Sequence, residues 1–98
     1  MLFARRRWAK KIAAILPKGS RERDWAVARL VWTAKHSAYA HHLSKRQCVL
    51  MAGRTIANDT IALSQAMKDL DLSESQANSL LLSIQESAVA LAAKVIEQ

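Results

Sequence analysis

Apolar residues recur along this chain at spacings of three and four from end to end, the period of helices buried along one face. A helix over residues 3–16 sets Trp8, Ile12, Ile15 and Leu16 on one stripe, with Arg6 and Lys10 opposite and Arg7 and Lys11 on the flank. Pro17 ends it. The turn "PKGS" then places Gly19 after the helix and Ser20 at the next N-cap, so that Glu22 and Asp24 fall in a positively polarised first turn.

From Ser20 the helical spacing continues to about Leu43, with Val27, Leu30, Val31, Ala34 and Ala38 on one side and Trp25, Trp32 and Tyr39 on another. An apolar arc that wide predicts cover on two sides. Ser44 and Gln47 have the spacing of a capping box and predict a break near Leu43 or Ser44; the alternative is one helix running through both segments. The third helix carries Val49, Gly53, Ile56, Thr60, Leu63, Met67 and Leu70 in unbroken four-three alternation, a heptad seam in which Gly53 permits close backbone approach. A second capping box, Ser73 and Gln76, follows in "DLDLSESQ", where Asp71 and Glu74 also favour a helix N-terminus. The fourth helix runs to about Glu97 with Ala77, Leu81, Ile84, Ala88, Leu91 and Val95 as its seam.

These elements predict an all-α protein of one domain: a short basic amphipathic helix within residues 1–17, then a core over 20–98 of three longer helices in a bundle or helical hairpin. Two seams are more than a short chain needs. Self-association is therefore expected, with Val49, Gly53, Ile56, Leu63, Met67, Leu81, Ile84 and Leu91 as its residues.

Composition agrees with helix: among 98 residues there are two Gly and one Pro, and 51% are apolar. Charge adds something new. Residues 1–54 hold thirteen Lys or Arg against Glu22 and Asp24, a net of +11, whereas residues 55–98 hold Lys68 and Lys94 against six carboxylates, a net of −4. This asymmetry points to a polyanionic partner at the basic end, or to basic and acidic helices that complement one another within the chain. Cys48 is the single cysteine, which excludes an intrachain disulfide and suits a reducing, intracellular (cytoplasmic) setting. No window is apolar for long enough to span a bilayer. The opening segment is too short in its apolar run for a secretory signal, although it is Arg-rich and free of acid until Glu22, as organelle presequences are.

Candidate chemistry is sparse. His36, His41 and His42 lack the i, i+3 or i, i+4 spacing of a helical metal site. Asp69, Asp71 and Glu74 alternate like the start of a calcium loop but lack its glycine and terminal glutamate; capping accounts for Asp71 and Glu74. Lys45 and Arg46 beside Cys48 could lower a thiol pKa, yet neither serves as its base. The glycines stand too far apart to cradle a phosphate. We expect no enzyme, no metal, no cofactor and no small-molecule substrate. "KDLDLSESQANSLL" resembles the turn of a helix-turn-helix, but the helix that would enter the groove carries Glu74 and Glu86 and no basic residue before Lys94.

Two features bear on partners. Trp25, Trp32 and Tyr39, spaced by seven among Arg29, Lys35 and His36, would either stack nucleobases or, together with Trp8, anchor the core or a partner's helix; the core role is the expected one. The opening stretch "RRRWAKKIAAILP" predicts a polyanion-facing patch of Arg5, Arg6, Arg7, Lys10, Lys11, Lys18, Arg21 and Arg23, directed at a nucleic acid or an acidic protein surface. The expected function is that of a small adaptor or regulator. The alternative is a peripheral membrane or organelle-assembly subunit that lays this helix in a lipid interface.

Overall fold

The computed structural model describes residues 9–16, 19–36 and 44–96. Within them the regular structure is helical and no strand occurs: α1 over residues 9–13, α2 (Arg21–His36), α3 (Lys45–Ala57), α4 (Thr60–Leu70) and α5 (Glu74–Ile96). Trp8, Tyr39, Arg5, Arg6, Arg7, Lys18 and Leu43 lie outside the described residues; of the break expected near Leu43 or Ser44, Ser44 is described and is the extended N-cap at which α3 begins.

Local chemistry sets most of the boundaries. Gly19 sits at φ +77°, where a side chain would be strained, and the Ser20 hydroxyl accepts the Arg23 amide at 3.1 Å to start α2. Both predicted capping boxes form. The Ser44 hydroxyl accepts the Gln47 amide at 3.2 Å while the Gln47 side chain takes the Ser44 N–H at 3.0 Å, and Ser73 and Gln76 repeat the exchange at 3.1 and 2.9 Å.

The third predicted helix is two helices. Asn58 closes α3 by donating its amide and its side-chain Nδ2 to the Arg54 carbonyl, and the Asp59 carboxylate opens α4 by accepting the Ile61 N–H at 2.9 Å. The four-three alternation hides this break because Ile56 and Thr60 keep a four-residue spacing across it. The interruption shifts the buried face to Ala62, Ala66 and Leu70, and Thr60 is exposed. Asp71 also differs from expectation: it is the left-handed C-cap of α4 at φ 54°, not an N-terminal residue of α5.

The core draws on all five helices, from Ile12 and Leu30 through Val49 and Ile56 to Leu81, Ile84 and Ala92. Among α2 to α5 the most extensive packing is between α3 and α5. There a Cβ placed on Gly53 would come within 2.5 Å of the Ala88 Cβ and 3.3 Å of the Gln85 Cα, so only glycine fits that close approach without a shift. The seams of the third and fourth predicted helices thus meet each other. Val49, Gly53, Ile56, Leu81 and Ile84 are buried within one chain, while Leu63, Met67 and Leu91 are half-buried. No helix among the described residues is long and apolar enough to cross a membrane.

Candidate interaction surfaces

The described part of the basic end is two-sided. Ala9, Ile12, Ala13 and Leu16 are buried, whereas Lys10 and Lys11 are exposed. At about 100° per residue the four buried positions share an arc of about 100°. Ile15 falls outside that arc and is 51% exposed, so it leaves the stripe assigned to it and the two alanines take its place.

Arg21 and Arg23, predicted as polyanion contacts, both make bonds inside the chain. Arg21 donates to the Leu70 carbonyl at 3.1 Å, and the Arg23 Nε donates to the Ala13 carbonyl at 3.3 Å. Each carbonyl lies at the C-terminal end of a helical segment, where acceptors are left unpaired and a positive charge is favoured. Two arginines in one turn of α2 therefore secure α1 and α4 to it. Arg21 is exposed and Arg23 half-buried.

A second surface lies where α2 meets α4. Trp25 donates its indole N–H to Asp69 at 3.2 Å, Arg29 donates to Gln65 at 2.7 Å, and the other Arg29 nitrogen binds Asp59 at 2.7 Å. Rising numbers in α2 meet falling numbers in α4, so the two helices run in opposite directions, and this register sets Trp32 beside Ile61. The Arg29 guanidinium lies 4.8 Å from the centroid of the Trp32 ring. Its side chain is only 11% exposed, and its Nε is buried without a hydrogen-bond partner among the described residues. Burial pushes the Asp59 carboxyl up, but the Arg29 guanidinium and the backbone N–H groups of Ala62 and Ile61 outweigh it and hold the group below its ordinary value. The carboxylate stays ionised, tying the start of α4 to the middle of α2.

Of the aromatic stripe, Trp25 packs half-buried against the core, while Trp32 is 51% exposed and so is not the core residue expected. The sequence reading missed the α4 side of this surface, Ile61, Gln65 and Asp69. Their i, i+4, i+8 spacing was the available signal. No group of His, Cys, Asp or Glu among the described residues could hold a metal ion. Comparison of the chain with known protein families, with curated proteins and with solved structures yields no match.

Proposed function

We propose that the protein is a non-catalytic helical binding module that presents its basic N-terminal half to a polyanionic partner, with the segment before Pro17 acting as a basic amphipathic helix on a helical bundle. One observation carries this: Ile12, Ala13 and Leu16 are spent on the core while Lys10 and Lys11 face outward. A lipid-anchored role for the same segment would require those apolar residues to leave a core in which Ile12 is fully buried. A polyanion needs only the outward cations. The contact set we favour is Arg5, Arg6, Arg7, Lys10, Lys11 and Lys18, the cations of residues 5–18.

The test replaces Arg5, Arg6, Arg7, Lys10 and Lys11 by Gln and titrates fluorescent duplex DNA, heparin and anionic vesicles against both proteins over a range of salt. Circular dichroism should show the fold retained. For DNA, the slope of log affinity against log salt should fall by about 0.9 for each phosphate that the variant no longer neutralises. Wild-type protein that ignores DNA and heparin but floats with vesicles at high salt would overturn the proposal in favour of the membrane.

A further inference from the structure

Neither Lys10 nor Lys11 lines the α2/α4 surface, which has a different chemistry. Trp25, Arg29, Trp32, Ile61, Gln65 and Asp69 line a shallow cavity of about 540 Å³. Its floor is already organised, since Arg29 is pinned by Asp59 and Gln65 at 2.7 Å each and lies against Trp32. Its rim is apolar at one end, where Trp32 is 51% and Ile61 64% exposed. Tryptophan and arginine are residue types in which binding energy concentrates.

Charge decides what kind of occupant fits. Arg29 and Asp59 neutralise each other across 2.7 Å, which leaves Asp69 as the remaining charged residue among those lining the groove. Lys68 is next in sequence but about 100° round the helix, and it does not line the cavity. A nucleic acid stacking on Trp32 would bring phosphates towards Asp59 and Asp69, so the groove disfavours it. A cation is favoured by the carboxylate of Asp69.

We infer that this groove docks a basic amphipathic helix of a protein partner, with an apolar side chain seated on Trp32 and Ile61 and a lysine or arginine reaching Asp69. The register gives the spacing. Trp25, which holds Asp69, is seven residues from Trp32, or about 10.5 Å along α2. The partner's anchor and its cation are therefore two turns apart. This goes beyond the polyanion role proposed above, because it assigns the opposite charge preference to a different surface.

The probe is a stapled helix of about 14 residues, otherwise Ala, Ser and Gln, bearing Leu and Lys seven positions apart; a control carries Glu in place of Lys. Binding at physiological salt is followed by the Ile61 methyl and Trp32 indole NMR signals. The Lys peptide should bind about tenfold tighter than the Glu peptide, a difference of about 1.4 kcal/mol. Asp69→Asn, which retains an acceptor for the Trp25 N–H, should erase that preference. Trp32→Ala, at an exposed position, should abolish binding with the fold intact. Equal or tighter binding of the Glu peptide, or signals that move only at Lys10 and Lys11, would overturn the inference. So would a DNA duplex that shifts Trp32, or light scattering that shows a dimer burying Ile61. Heparin binding measured on Trp32→Ala and Asp69→Asn separates the two proposals, since the basic end is untouched in both variants.

Discussion

The α3–α5 contact and the α2–α4 contact join helices by opposite means. Between α3 and α5 the surfaces are dry and close: Gly53 lies against Ala88, and Ile56, Ile84 and Val49 are fully buried around them. Between α2 and α4 the joining groups are polar and come in order along the helices: Arg21 to the Leu70 carbonyl, Trp25 to Asp69, Arg29 to Gln65 and Asp59. The first contact buries Val49, Ile56 and Ile84 completely, and the second leaves Trp32 and Ile61 outside. Shape holds one pair of helices while direction-dependent bonds set the register of the other.

The largest loss should come from the dry contact. Ile84→Ala or Ile56→Ala should cost about 2–5 kcal/mol in urea unfolding, a large share of the 5–15 kcal/mol that small proteins possess. Asp59→Ala should come next. It removes an N-cap, about 1 kcal/mol, and leaves Arg29 without its ionic partner in a largely buried place, about 1–3 kcal/mol more. If Asp59→Ala proved costlier than both isoleucine variants, the division of labour between the two contacts would be reversed.

Acid should separate the contacts further. The Asp59 carboxyl titrates below its ordinary value in the folded chain. Its ionic contribution is thus complete above the unfolded-state value of about 3.9 and disappears as the pH falls through the lower folded value. The stability difference between wild type and Asp59→Asn, measured from pH 7 downwards, should be constant to about pH 4 and shrink below it. The cost of Ile84→Ala should show no matching decline.

How much of this was legible follows the same division. Helical class, the capping boxes at Ser44 and Ser73, the Gly19–Ser20 turn and the close approach at Gly53 depend on neighbours in sequence or on one helix's own period, and each was readable. The break at Asn58–Asp59 was obscured because a four-residue step is as natural across a cap as along a helix. Asp59 does two jobs, capping α4 and pairing with Arg29, and only the first has a local signature. The α2/α4 groove depends on pairs 30 to 49 residues apart, and periodicity is silent about which helix a face will meet. Trp32 was misassigned for that reason: heptad spacing from Trp25 put it on a stripe, but α4 covers only part of that stripe.

Gly53→Ala sharpens the description of the dry contact at moderate cost. The added methyl must displace Ala88 from a 2.5 Å approach, and overpacking of this kind costs about 1–3 kcal/mol. Up to about 1 kcal/mol returns through helix propensity. The net loss should be rescued by Ala88→Gly, which returns the space, so the double variant should be more stable than the sum of the single losses implies. Independent, additive losses would mean that the helices part rather than press together.

The smallest expected effect is at Arg23. Its Nε bond to the Ala13 carbonyl, at 3.3 Å, is long and half-exposed, so Arg23→Met, which retains much of the aliphatic stem, should cost only about 0.5–1.5 kcal/mol. The location of the loss is more telling than its size. Residues 9–16 are joined to α2 by this bond and by the burial of Ile12, Ala13 and Leu16; without the bond, hydrogen exchange should speed up at the Ala14, Ile15 and Leu16 amides while those of Ile56 and Ile84 exchange as before. Loosening that end also bears on the polyanion binding proposed above, because Lys10 and Lys11 lie in the same segment. Arg23→Met should therefore weaken heparin binding by less than the removal of either lysine, and a larger fall would place Arg23 itself in the contact.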